Sequence, residues 1–216
     1  MRRRQAVLLA IAAPLAAFVG YEGFAVVRAQ ARTPEVFTRF ADRPLTLEAF
    51  GERRIAMLLR VEDPGFWTHG GVDYRTPGQG RTTLTQGLVK QLYFDAFKPG
   101  FAKIEQSLIA WAVFDRAVSK REQLSMYVNH AYFGTLRGRA VHGFDDAART
   151  WIGKPYAGLD DGEFLKLLAM PIGPNRLNPI RHPEANASRV RRIEALLAGR
   201  CRPAGLADVT YEGCDA

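Results

Sequence analysis

Cysteine is scarce in this chain: only Cys201 and Cys214 occur in 216 residues, alongside four histidines. A metal site would need more ligands than the sequence gathers near them. In an oxidising compartment the two thiols could pair and staple the C-terminal tail. No internal repeat is present, which excludes stacked-repeat architectures. No convincing alternation of apolar and polar residues marks a strand, which argues against a sheet-based fold. What remains is helical periodicity, and the expected class is all-α.

The first signal actually present is at the N-terminus. Arg2, Arg3 and Arg4 precede an uncharged run from Ala6 to Tyr21, and after Glu22 the apolar character continues to Val27. A spanning helix needs about 20 mostly apolar residues. The preceding arginines favour a cytoplasmic start, with the rest of the chain outside. The small residues of Ala29-Gln30-Ala31 offer a rival reading, a cleaved signal peptide. The apolar region is too long for that, so an uncleaved anchor is expected. The organisation is then a cytoplasmic stub at 1–5, a signal-anchor at 6–27, a linker at 28–46, one domain at 47–199 and a tail at 200–216.

Formal charge is +8, of which the N-terminal arginines supply three. A basic domain beside a membrane suits an anionic partner such as lipid headgroups or a diphosphate. Export argues against nucleic acid. A plain surplus of solvated lysine and arginine explains the charge equally well.

Along the domain, Leu47 to Glu62 is periodic and stops at Pro64-Gly65. Glycines 70, 71, 78 and 80 with Pro77 make the next stretch a loop. Thr82 or Thr83 can cap a helix to about Phe94. Pro99-Gly100 leads into a strongly apolar helix, Phe101 to about Val118, expected at the centre of the domain because Ile104, Leu108, Trp111 and Phe114 cover more than one face. Ser119 with Glu122, and Asp160 with Glu163, read as capping boxes. A last helix follows Pro183, with Ala187, Val190, Ile193 and Leu197 inward and Gly199 as its stop.

Glu62 and Asp63 stand where a helix yields to the glycine-rich loop, followed by Phe66, His69, Gly71 and Asp73. Acids and a histidine so close together can supply a general base and its orienting partner. Solvated acids and a structural histidine are the plainer alternative.

The spacing Glu62-Asp63-x-x-Phe66-x-x-His69-x-Gly71-x-Asp73 resembles the first signature of the glycosyltransferase family 51, the peptidoglycan transglycosylases. Gly80 to Gln91 resembles the second signature, and Ser119-Lys120 through Tyr127-Val128-Asn129 to Gly134 a later one. Ala147-Ala148 to Lys154 and Pro174 to Pro179 are similar to further family segments. The likeness runs from about Leu47 to Leu197. It implies a lysozyme-like helical domain that polymerises lipid II into glycan strands at the outer face of the cytoplasmic membrane, in the company of other wall-synthesis proteins.

On that resemblance, Glu62 is the catalytic base. Asp63, Phe66, His69, Thr83, Gln86, Lys90 and Lys103 fall at substrate-binding positions. Thr83, Gly87 and Lys90 would share one helix face toward the diphosphate. No cofactor is implied, although a divalent cation could accompany the diphosphate. Three departures stand out. The connection from Asp73 to Gly80 is short, Gly87 replaces a family glutamine, and the family's second glutamate is out of register. Gln106 or Ser107 falls at its position, with Glu105 the nearest acid and the candidate second catalytic residue. On a regular helix Lys103 and Glu105 point to nearly opposite sides, so both reach one cleft only if the first turn is irregular. A degenerate relative that binds lipid II or nascent glycan is the alternative to a polymerase, and a glycan-cleaving enzyme on the same fold is a third reading.

Overall fold

The structure, a computed structural model, describes residues 2–214, and the side chains of Arg2, Arg3, Arg4, Ala6, Leu9 and Ile11 lie outside that description. Of the start read at residues 1–5, Met1 and the arginine side chains therefore lie outside the described residues. Helix α1 (Arg2–Arg39) is 38 residues long and contains Pro14 and Pro34. It does not end at Val27 but runs on through residues assigned to a linker. The reason is an inward stripe: Ala25, Ala29, Thr33 and Val36 are all buried against the domain. Thr33 also shares a hydrogen bond of 2.9 Å with the Tyr93 hydroxyl. Among the described residues, no helix is long and apolar enough to cross a membrane.

The region from Leu47 to Glu62 is two helices, α2 (Leu47–Phe50) and α3 (Glu52–Glu62), broken at Gly51. Gly51 has φ of 91°, a conformation that strains any residue with a Cβ. After the glycine-rich loop comes α4 (Leu84–Tyr93), with Thr83 and Gln86 forming a complete capping box. Helix α5 (Phe101–Ile109) passes into a π-helical turn at Ala110–Phe114. Its expected all-round burial is not observed: Phe101, Ile104 and Trp111 are exposed. On that face the Phe18 ring of α1 lies 5.6 Å from Phe101, and the Arg116 guanidinium sits over the Trp111 ring.

Helix α6 (Lys120–His130) starts at Ser119, whose hydroxyl accepts from the Glu122 amide. The reverse half of that box is missing because Glu122 pairs with Arg43 at 3.3 Å. A hairpin follows, β1 (Tyr132–Leu136) antiparallel to β2 (Arg139–His142), where no strand was expected. Its tight turn places Arg137 (φ 51°) and Gly138 (φ 83°) in the left-handed region. That geometry follows the strand twist, but an arginine in its first position conceals it in the sequence. Helix α7 (Phe144–Ala147) runs into a second π turn, Ala148–Ile152, and α8 (Asp161–Leu168) carries the capping box read at Asp160 and Glu163.

Helix α9 (Pro183–Leu197) closes the domain, with Pro183 in its first turn. Ile193 is buried and Val190 and Leu197 pack against the core as expected, while Ala187 is exposed and Asn186, Arg189 and Leu196 extend the inner face. Asn186 is drawn inward because its amide donates to the carbonyls of Lys166 and Leu177. The core gathers Phe50, Phe144, Tyr156 and Phe164 in one aromatic cluster. Cys201 and Cys214 are joined by a disulfide.

Candidate active site

A cleft of about 780 Å³ opens between the end of α3, the start of α4, the 78–82 loop, the start of the hairpin, α9 and the C-terminal tail. Glu62, Thr83, Gly87, Lys90 and Arg189 are among its lining residues. Thr83, Gly87 and Lys90 therefore do share one face, as their i, i+4, i+7 spacing requires.

Glu62 is the last residue of α3, and its Oε1 is buried with no hydrogen-bond partner. Burial pushes its carboxyl up to about 7, with Arg189 opposing the rise and Asp63 adding to it. A cleft-lining carboxyl that titrates near neutrality and has an oxygen without a partner has the properties of a general base.

Asp63 does not line the cleft. It is fully buried behind Glu62. Its carboxylate accepts from the Leu84 amide at 2.8 Å and from His69 Nε2 at 3.1 Å. His69 Nδ1 accepts from the Gly71 amide, which places the ring proton on Nε2. Lys120 Nζ reaches His69 Nδ1 at 3.4 Å and Asp115 at 2.7 Å, and lies over the Phe66 ring. Gln123 joins the chain, donating to Asp115 and accepting from Thr85. These buried bonds tie the end of α3 to the starts of α4 and α6, fixing where Glu62 emerges. Gly71 is needed there because a Cβ would strike the Ala110 carbonyl in the π turn. Phe66 and Gln86 are likewise fully buried, behind the cleft surface.

Thr83 spends its hydroxyl on the Gly71 carbonyl and on the Gln86 amide. Its exposed neighbour Thr82 instead accepts from Lys103 Nζ at 2.7 Å. Burial and the nearby Lys90 charge lower the Lys103 ammonium to about 8. Lys90 and Arg81 line the cleft, and Lys103 joins them through Thr82, so the three gather cationic charge beside it.

Glu105 does not join these cations. Helix α5 is regular from Phe101 to Ile109, so Lys103 and Glu105 take opposite sides and the irregular first turn that could unite them is absent. Glu105 is buried toward α1. On the other side of α5, Gln106 donates to the Gln86 carbonyl and the Ser107 hydroxyl accepts from the Gln86 amide.

Arg189, which the motifs did not single out, is nearly fully buried and faces Glu62. Its Nη1 donates to the Val209 carbonyl at 2.8 Å, and its Nε has no partner. The signal in the sequence was its phase with Ile193, i and i+4 on α9.

The cleft therefore holds an unpartnered carboxyl group together with cationic side chains, a combination suited to base-assisted displacement of an anionic leaving group. The transglycosylase family model matches residues 32–198, and the chain belongs to that family. It is 33% identical over 192 residues to penicillin-binding protein 1C of Escherichia coli, covering 79% of this chain and 24% of that protein. Penicillin-binding protein 1B of Vibrio cholerae is 30% identical over 158 residues, 67% of this chain and 20% of the relative. A protein of Cupriavidus necator named as a transglycosylase is 28% identical over 144 residues, 61% of this chain and 60% of its own length. The chain thus spans about a fifth to a quarter of these penicillin-binding relatives.

Proposed function

We propose that this chain is a peptidoglycan glycosyltransferase that joins lipid II units into glycan strands at the outer face of the cytoplasmic membrane. The observation that carries the reading is Glu62: a cleft carboxyl held near neutrality, with a free oxygen and a rigid buried support. Glu62 takes the proton of the acceptor sugar hydroxyl as that oxygen attacks the anomeric carbon of the growing chain. The new glycosidic C–O bond forms as the anomeric C–O bond to the lipid diphosphate breaks, and the diphosphate leaves with the electron pair. Lys90, Lys103 and Arg81 meet the departing charge. Asp63 and His69 act by holding Glu62 in place rather than by touching substrate.

Helix α1 serves as the anchor in this reading. Val7, Leu8, Leu15, Val19 and Phe24 are exposed along it, and the exposed Phe101, Ile104 and Trp111 lie on the neighbouring α5. Such a band favours a lipid-facing side.

A second reading, a relative that binds lipid II without polymerising it, is favoured by one observation: Gln106 and Ser107 stand where a second acid is expected. Incubating the purified full chain with lipid II in detergent separates the two. Long glycan products, suppressed by the family inhibitor moenomycin, support the enzyme. Saturable lipid II binding with no product under conditions where another family member polymerises supports the binder.

A further inference from the structure

The segment after α9 carries none of the motifs, yet it builds part of the cleft. Ala207 and Val209 lie in the cleft lining, inside the loop closed by Cys201–Cys214. The loop is fastened to three parts of the domain. The amides of Gly78 and Gly80 donate to the carbonyls of Gly205 and Leu206, at 2.9 and 2.7 Å. Arg189 and Arg192 donate to the carbonyls of Val209 and Thr210. The Tyr211 hydroxyl donates to the carbonyl of Val61, the residue before Glu62, at 2.6 Å.

The approach is close enough to dictate residue type. A Cβ on Gly78 would come within 2.7 Å of Pro203, and one on Gly80 within 2.6 Å of Val209. Both glycines have positive φ, so the 78–80 turn is shaped to receive the loop. The loop is ordered from within by Asp208, which accepts from the amides of Ala204 and Tyr211.

We propose that the disulfide-closed loop 201–214 is a wall of the active cleft that positions Arg189 against Glu62. The Arg189 carbonyl contact to Val209 leaves the guanidinium fixed over the Tyr211 ring, 5.4 Å from its centroid, and directed at Glu62. The groups facing Glu62 are then Asp63 beside it, Tyr127 from α6, Arg189 from α9 and Tyr211 from the loop. Of these only Arg189 lowers the carboxyl, while burial, the largest influence, raises it. Opening the wall admits water, which lowers Glu62, and frees Arg189, which raises it; because burial is the larger influence the net is a fall toward the ordinary value, whereas removing the arginine alone drives it further up.

The test reads Glu62 directly, so it does not depend on the proposed polymerase activity. The full chain in detergent, with carbon-13-labelled glutamate, is titrated by NMR, and the Glu62 signal is assigned by its loss in Glu62→Gln. In Cys201→Ser/Cys214→Ser the midpoint is expected to drop by a unit or more, and in Arg189→Gln to rise. Tyr211→Phe keeps the disulfide but loses the Val61 contact. It is expected to lower the midpoint in the same direction, and it decides alone if the double serine variant does not fold. An unchanged midpoint in the folded loop variants overturns the proposal. If the midpoint moves while the acidic limb of the rate profile stays still, the loop acts as stated and the assignment of Glu62 as base fails.

Discussion

Arg28 Nη2 stands 3.3 Å from the Glu105 carboxylate, tying the long N-terminal helix to α5 on the side away from the cleft. The acid nearest the family's second glutamate is thereby engaged in docking α1. Glu105→Gln is expected to leave the rate of glycan formation within about twofold of wild type. Because Arg28 is half exposed, the lost pair should cost no more than about 1 kcal/mol. A rate loss of a hundredfold in lipid II polymerisation would place Glu105 in the chemistry after all.

The pH profile should be a narrow bell. Glu62 must be ionised to accept a proton, so the rate rises with pH through about 7. Lys103 must be charged to meet the diphosphate, so the rate falls as its proton leaves above about 8. Lys103→Arg keeps the charge at all accessible pH. Steady-state rates from pH 5.5 to 9.5 are expected to show the alkaline limb disappear in that variant while the acidic limb stays.

Stability should carry the mark of the same carboxyl. Glu62 ionises at its ordinary value of 4.5 in the unfolded chain but near 7 when folded. Between those values the folded protein holds the extra proton, so stability falls as pH rises through this window. Glu62→Gln has no such proton to lose. Its Tm is expected to match wild type near pH 4 and exceed it at pH 8, measured by thermal unfolding at each pH.

The sequence made local chemistry legible and long-range placement much less so. The Asp160–Glu163 box was readable because its residues stand three apart, whereas for α4 the sequence offered Thr82 or Thr83 and only the fold chooses Thr83 with Gln86. The opposed faces of Lys103 and Glu105 followed from helix geometry alone. The hairpin escaped because Arg137 takes a turn conformation usually left to glycine or asparagine. On α9 the apolar residues Val190, Ile193 and Leu197 were legible as inward, but apolar periodicity could not find the buried Asn186 and Arg189, which are held by backbone carbonyls outside the helix. Asp63 and His69 read as site residues, and only the folded chain distinguishes a group that touches the cleft from one that supports it.

Gly87 lies on the cleft face of α4, and a Cβ there meets nothing within 4 Å. Glycine inside a helix costs about 1 kcal/mol relative to alanine. Gly87→Ala is therefore expected to raise stability by about that amount in urea unfolding, with lipid II polymerisation retained. Destabilisation would mean that α4 needs the flexibility of glycine at this point.

The central claim is that Glu62 acts as the base of a glycosyl transfer. Glu62→Gln keeps the shape of the side chain and removes the base, and loss of a positioned base costs about 10²–10⁴ in rate. The most direct measurement is glycan formation from lipid II by this variant beside wild type, with lipid II affinity measured on both. Polymerisation reduced at least a hundredfold with affinity little changed is the predicted result. A variant that polymerises at the wild-type rate would contradict the account.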